Sequence, residues 1–351
     1  MGDFMEVQLS ERKKSILAAT VESYIKTAEA VGSKSLTSDF GCSSATIRQE
    51  LSDLEEEGLL MHLHTSSGRV PTDLGYRYYV DVLMKHHSLS SSDQLALRSA
   101  IGTMSENLAD TFSHISQAVA SLIDYTIIVL TPDIFIESLK VIHLIMVDLD
   151  RILVVLLHAA GVNKEFLMQI PSDQVNQDDL NRISKLLTEK LEGRSLSDLN
   201  EETLSSMIQV LPEYRSLLMT LGESLQNLQI STQDNRQLLT SGTSKMLKLP
   251  EFKNIEFAQK VLSSLEESKV LLKLLSYHHS EEHYRVFIGN EHEVDDLKEC
   301  SLVVAPFKGN GALGILGPKR MAYDTIVPLV QNISGIITTY LSRTNGGKKN
   351  V

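Results

Sequence analysis

The feature that most constrains the fold is a tight turn between two short helical patterns in residues 33–58. The first pattern begins near Ser33 and ends at Gly41, a residue type that readily adopts the left-handed conformation after a helix. The second pattern runs from Ser43 or Ser44 to Glu57. It places three apolar residues on one face at spacings of four and three, namely Ile47, Leu51 and Leu54.

A longer helix is predicted before this pair and a hairpin after it. The helix runs from Ser10 to about Thr27 and carries apolar residues on one face: Ile16, Leu17, Val21, Tyr24 and Ile25. Two extended segments, 59–63 and 69–70, are joined by the polar turn 65–68, and another helix is predicted over 74–87. The serine-rich stretch 88–93 ends this domain, residues 1–88. Three helices and a hairpin predict a winged helix-turn-helix.

The third helix has a polar face opposite its buried stripe, and this face is typical of DNA recognition. Arginine binds guanine through two hydrogen bonds, glutamine binds adenine in the same way, and a small residue approaches a thymine methyl group. The start of the helix directs free N–H groups and the positive end of the helix dipole toward phosphate. The predicted DNA-binding residues are Ser43, Ser44, Ala45, Thr46, Arg48, Gln49, Ser52, Lys34, Arg69 and Arg77.

The overall charge opposes DNA binding unless positive side chains are concentrated locally. The chain has a net charge of -12 and a pI of about 5.4, and residues 1–87 contain 9 Lys and Arg against 13 Asp and Glu. Proteins that coat nucleic acid through bulk electrostatics have the opposite balance. A helix in the major groove needs only local positive charge, so weak nonspecific binding is expected. A helical bundle with a solvated face and a winged helix that binds protein remain alternatives.

The rest of the chain alternates between helical and extended patterns, which predicts an α+β protein. The predicted elements are a helix at 95–122, strands at 139–148, 151–159 and 162–170, a mainly helical stretch at 174–240, a helix near 255–276, strands near 284–289 and 300–307, and a helix at 322–342. An antiparallel-sheet domain formed by 94–173 and 241–343 is therefore expected, with 174–240 inserted and 344–351 as a disordered tail.

Composition favours a cytoplasmic protein. The most apolar stretch, 141–162, is interrupted by charged residues, so a membrane span is not predicted. Residues 1–10 lack the order of a signal peptide, and the only cysteines, Cys42 and Cys300, are 258 positions apart.

Two further patterns carry no assigned chemistry. The run 309–314 matches the dinucleotide-binding fingerprint, but it leads into an extended segment rather than a helix, which favours a glycine-rich hairpin. His278, His279 and His283 lack a second ligand pair, so a solvated helix end is the favoured interpretation. No catalytic constellation, metal site or cofactor is predicted, and the chain is expected not to be an enzyme.

Several strings resemble the HrcA family of heat-inducible transcription repressors. They are Ser44-Ala45-Thr46-Ile47-Arg48, the long run from His64 to Arg77, Leu249-Pro250-Glu251-Phe252, Ile288-Gly289-Asn290-Glu291 and the run from Gly317 to Tyr323. The resemblance spans nearly the whole chain. Gln49 stands where this family usually has Asn, which bears on the operator preference.

The resemblance implies a winged helix-turn-helix, a GAF-like sheet domain and a dimerisation domain inserted into it. It further implies a homodimer that represses chaperone operons at an inverted repeat called CIRCE, with the GroE chaperonin supporting the DNA-binding form. The alternative is a ligand-sensing regulator with a metabolite pocket between the strands at 139–170 and those at 284–316.

Overall fold

The computed structural model describes residues 8–62, 68–85, 108–132, 139–158, 163–170, 175–231, 236–275 and 283–345. These ranges contain an N-terminal helical domain with a two-stranded hairpin, a central five-stranded sheet and a separate three-stranded sheet. The predicted α+β class is therefore confirmed. None of the described helices is both long enough and apolar enough to cross a membrane.

The N-terminal domain has the helices and the hairpin predicted from the sequence. Its elements are α1 (Glu11–Thr27), α2 (Thr37–Phe40), α3 (Ser44–Glu56), β1 (Leu60–His62), β2 (Arg69–Pro71) and α4 (Asp73–Tyr78), which continues as a π-helical turn, Tyr79–Leu83. Ser10 caps α1 by accepting a hydrogen bond from the Lys13 backbone N–H, and Gly41 ends α2 at a φ of 60°. The predicted turn residues 65–67 lie outside the described part of the chain.

The remaining elements form two domains. In chain order they are α5 (Leu108–Leu122), β3 (Thr126–Leu130), β4 (Leu139–Met146), β5 (Arg151–His158), β6 (Asn163–Gln169), α6 (Gln177–Leu191), α7 (Glu201–Val210), α8 (Arg215–Ser231), β7 (Leu238–Ser241), α9 (Thr243–Met246), α10 (Ile255–Glu266), α11 (Ser268–Leu275), β8 (Arg285–Ile288), β9 (Cys300–Phe307), β10 (Gly311–Pro318) and α12 (Tyr323–Asn345). Helix α12 includes Thr344 and Asn345, which the sequence places in the tail.

The central sheet has the strand order β7-β3-β10-β9-β8, and all of its neighbouring strands are antiparallel. One face packs against α5, α12 and the N-terminal domain, and the other packs against α10 and α11. Because both faces are covered, every residue of the middle strand β10 is buried. Gly309 and Asn310, with φ of 83° and 57°, connect β9 to β10. This turn confirms the glycine-rich hairpin.

The insertion has different limits from those predicted. Strand β3 ends at Leu130 and pairs there with Leu238 of β7, so the chain leaves the central sheet after β3 and returns at β7. Between them, the sheet β4-β5-β6 packs with α6, α7 and α8 around a hydrophobic core of its own. The strands at 139–170 therefore belong to the insertion, while residues 238–240 do not.

The limits of the insertion differ from the predicted ones for a physical reason. Apolar alternation identifies a strand, but strand pairing depends on contacts that are distant in sequence. The strands at 139–170 and those at 284–316 belong to different sheets and pack in separate hydrophobic cores. Of the histidines considered as metal ligands, His278 and His279 lie outside the described residues.

Candidate nucleic-acid interface

Helix α3 buries one side in the N-terminal domain and exposes the other. Ile47 and Leu54 are completely buried, and Leu51 is 2% exposed. Arg48 and Gln49 lie on the exposed side, as do Ala45 and, in a half-buried position, Ser52. Arg48 makes no hydrogen bond or ion pair with another described residue. Its guanidinium group is therefore available to a partner.

The start of α3 is held by hydroxyl groups. The Ser43 side chain is the N-cap and accepts a hydrogen bond from the Thr46 backbone N–H at 3.2 Å. The Ser44 hydroxyl lies 2.9 Å from that of Ser33, which ties the start of α3 to the turn before α2. Lys34, in that turn, is exposed. This arrangement fixes the end of the helix that carries the positive dipole.

Lysine and arginine side chains offset the acidic residues of α3. The Lys13 ammonium lies 2.8 Å from a Glu57 carboxylate oxygen and 3.4 Å from one of Asp53, and Arg12 lies 3.8 Å from Glu50. The hydrogen bond from Gln49 lowers the pKa of Asp53, and the hydrogen bond to Glu57 raises the pKa of Lys13. These pairs are not evident from the sequence, since α1 and α3 meet only in the folded domain.

Arg69 connects the β1–β2 hairpin, which is the predicted wing, to α3 rather than extending into solvent. Its Nε and Nη2 atoms donate to Glu55 at 3.1 and 2.8 Å, and the side chain is only 16% exposed. The Arg69 backbone also exchanges two hydrogen bonds with Val31, at 2.8 and 2.9 Å. A Cβ atom on the preceding Gly68 would lie 2.4 Å from the Val31 carbonyl, so only glycine fits there. The wing is thus fixed against α3 and against the segment that contains Val31.

Comparison with known proteins identifies the family. Residues 109–327 match the family described as the HrcA protein C terminal domain. The heat-inducible transcription repressor HrcA of Desulforamulus reducens is 31% identical over 348 residues, which covers 97% of this chain and 100% of that protein. The protein of the same name from Lachnoclostridium phytofermentans is 34% identical, with coverage of 93% and 96%. The chain belongs to the HrcA family.

HrcA proteins are heat-inducible transcription repressors and not enzymes, and this chain shares that class. A crystal structure described as that of a hypothetical protein at 2.2 Å resolution has the same fold. It superposes with a TM-score of 0.64 at 22% identity and covers 96% of this chain and 100% of the other.

The strings that carry the HrcA resemblance meet at the junction between the N-terminal domain and the central sheet. Asp73 accepts hydrogen bonds from the Asn290 backbone and side chain at 3.0 and 2.9 Å, and it lies 3.1 Å from the Lys319 ammonium. Arg320 donates to the Ile25 carbonyl oxygen at 3.0 Å and pairs with Glu251. Segments far apart in the sequence therefore join the N-terminal domain to the central sheet.

Arg77 belongs to this junction, which differs from its predicted role in DNA binding. Its Nε atom donates to Glu291 at 2.8 Å, Nη2 donates to the Val286 carbonyl oxygen at 2.5 Å and Nη1 pairs with Asp81 at 3.0 Å. The side chain is 14% exposed. These acceptors engage Nε, Nη1 and Nη2 of the guanidinium group and hold Arg77 at the junction. The sequence pattern of α4 does not indicate that Arg77 donates a hydrogen bond to a residue more than 200 positions away.

Replacing Arg77 with Ala is expected to destabilise the fold by about 2 kcal/mol, because the 14% exposed arginine loses its hydrogen bonds to Glu291 and to the Val286 carbonyl oxygen. The measurement is the midpoint of thermal unfolding. Arg151→Ala is the matched control, since Arg151 is 48% exposed and its partners among the described residues are acidic residues of its own turn. Its loss is expected to leave the midpoint nearly unchanged. A normal midpoint with weakened DNA binding would instead restore the DNA-contact role.

Proposed function

We propose that the protein represses chaperone operons by binding, as a homodimer, to a CIRCE-type inverted repeat in their promoters. The observation that carries the proposal is the polar face of α3, where Arg48 and Gln49 are exposed opposite the buried Ile47 and Leu54. A helix built in this way can lie in the major groove while its apolar side stays in the domain. Membership of a repressor family supports the same function.

The proposed contacts follow from the chemistry of the exposed groups. Arg48 donates two hydrogen bonds to guanine, Gln49 binds adenine, and Ala45 approaches a thymine methyl group. Phosphates are bound at the start of α3 by backbone N–H groups and the hydroxyls of Ser43, Ser44 and Thr46, with Ser52 farther along the helix and Lys34 beside it. Arg69 serves mainly to hold the wing, because Glu55 already accepts its hydrogen bonds.

The ion pairs of α3 reconcile DNA binding with an acidic chain. Lys13 and Arg69 offset the carboxylates of Glu57 and Glu55, so the helix presents less unpaired negative charge than its sequence indicates. Few free cations remain to neutralise phosphates, and nonspecific affinity should be low. Specificity then rests on base contacts made twice, once in each half-site.

The outer face of the three-stranded sheet supports dimerisation through the insertion. Ile145, Leu153 and Leu167 form one cross-strand row on this face, and Ile145 and Leu167 are 45% and 57% exposed. Val155 and Leu157 continue the face along β5, whose opposite side is packed on the helices of the insertion. A strand that is apolar on both faces is expected to be covered on both. We propose that a second copy of the chain covers it.

The HrcA resemblance supplies the regulatory part of the proposal. The GroE chaperonin favours the DNA-binding form in the cytoplasm, and chaperonin occupied by misfolded protein leaves the repressor inactive. A shift of this kind requires an active and an inactive form whose free energies differ by only a few kcal/mol. Repression would then fall when heat increases the load on the chaperonin.

The test is a gel shift at fixed salt, with and without purified chaperonin, using a duplex that carries the inverted repeat from a chaperone-operon promoter of the same genome. Arg48→Ala is expected to weaken binding by at least about 30-fold, since one guanine contact is lost in each half-site. Arg182→Ala removes an exposed arginine from α6 of the insertion and should bind like the parent.

Dimerisation of Arg48→Ala should be unchanged, because Arg48 lies outside the insertion. If Arg48→Ala binds as tightly as the parent at the same salt, the assignment of α3 to the groove is wrong. If chaperonin does not increase operator binding, the chaperonin part of the proposal is wrong.

A further inference from the structure

The carboxamide of Gln49 is held on the surface of α3 by its neighbour one turn later. Gln49 Nε2 donates to Asp53 Oδ1 at 2.9 Å. The other carboxylate oxygen, Asp53 Oδ2, lies 3.4 Å from the Lys13 ammonium. The ammonium group of Lys13, a residue of α1, also lies 2.8 Å from a carboxylate oxygen of Glu57, which follows α3. Gln49, Asp53 and Lys13 thus form a continuous chain of contacts that links the exposed face of α3 to α1.

This contact leaves free the part of Gln49 that adenine requires. A carboxamide has two N–H groups and one carbonyl oxygen, and adenine binding uses that oxygen together with one N–H. One N–H is sufficient for the bond to Asp53. An exposed glutamine without such a bond samples many rotamers, and ordering them on binding costs free energy. A carboxamide that is already held in place loses less conformational entropy on binding.

We propose that Asp53 is a positioning residue that orients the Gln49 carboxamide for an adenine in the operator, and that Lys13 holds Asp53 in turn. The inference rests on the proposed function, because it assumes that α3 lies in the major groove. Asp53 thereby has a role in base discrimination in addition to its ion pair with Lys13.

The directions in which nonspecific affinity and base discrimination change on removal of Asp53 separate a positioning role from a merely structural one. Asp53 carries a negative charge on the helix proposed to approach DNA, so its removal should leave nonspecific affinity unchanged or raise it. Removal should at the same time weaken discrimination at the base that Gln49 contacts. The bond from Gln49 lowers the pKa of Asp53, so the carboxylate stays ionised at neutral pH. A loss of folding would instead lower both affinities.

The experiment measures competition binding of the full-length protein to duplexes with each half-site base pair changed in turn, and to a duplex without the repeat. Gln49→Ala first identifies the base pair whose preference depends on Gln49. Asp53→Ala is expected to reduce discrimination at that same pair about twofold per half-site, or about fourfold for both, as fits a Gln–Asp pair one helical turn apart. Asp53→Asn keeps an acceptor oxygen and should retain most of the discrimination.

Glu56→Ala is the matched control, because Glu56 is an exposed carboxylate on the same helix with no partner among the described residues. It should leave discrimination unchanged. Positioning is overturned if Asp53→Ala discriminates like the parent, if it loses discrimination equally at every base pair, or if Gln49→Ala identifies no pair. A parent protein that does not prefer the repeat overturns the proposed function itself, so the two failures can be told apart.

Discussion

Replacing Leu153 with Glu is expected to convert the proposed dimer into a monomer and to weaken operator binding about 100-fold or more. Leu153 lies at the centre of the outer sheet face, between Ile145 and Leu167. In a dimer its side chain would lose contact with water, and a buried carboxylate without a partner costs several kcal/mol. Monomers bind the two half-sites in separate events. They lose the gain in affinity that comes from linking the two binding domains, which is typically about 10²- to 10⁴-fold.

The oligomeric state is measured by sedimentation or light scattering, and operator binding by the gel shift at the same salt. Val210→Glu is the matched control, since Val210 is a 58% exposed apolar residue at the end of α7, in the helical layer of the same insertion. It introduces the same charge and should leave the dimer intact. A Leu153→Glu protein that stays dimeric, or a Val210→Glu protein that becomes monomeric, would show that another surface forms the dimer.

Replacing Gly75 with Ala is expected to destabilise the N-terminal domain by about 4 kcal/mol or more. Gly75 lies in α4, where a Cβ atom would come within 2.0 Å of the Leu59 carbonyl oxygen. That carbonyl accepts a hydrogen bond from the Thr72 backbone at 3.1 Å and belongs to the chain that enters the wing. Because the obstacle is backbone, it cannot move as a flexible side chain would, and α4 must separate from the hairpin.

Gly335→Ala is the matched control, and it is expected to raise the stability of the fold rather than lower it. Gly335 is exposed in the interior of α12, and a Cβ atom added there would meet no other part of the protein within 4 Å. Alanine is favoured over glycine in a helix by about 1 kcal/mol, so this variant should be slightly more stable. Calorimetry measures both midpoints. If Gly75→Ala unfolds at the parent's temperature, the close approach of α4 to Leu59 is incorrect.

The local sequence determined the elements of the N-terminal domain and the face that α3 exposes. Capping serines, the glycine after α2 and the spacing of Ile47, Leu51 and Leu54 act within one or two helical turns, so they can be read without knowledge of the rest of the fold. For the same reason the spacing places Arg48 on the exposed side, where the structure has it. The strands of the insertion are also recognisable as strands.

Only the tertiary structure decided the partners of these elements. Arg69 meets Glu55, Arg77 meets Glu291, and β3 pairs with β7 across the insertion. Charge and apolar alternation indicate that a residue needs a partner or a covering surface, but they do not indicate which one. That choice depends on packing between segments more than 200 residues apart in the case of Arg77. The set of residues free to bind DNA is therefore smaller than the set of cations in the sequence.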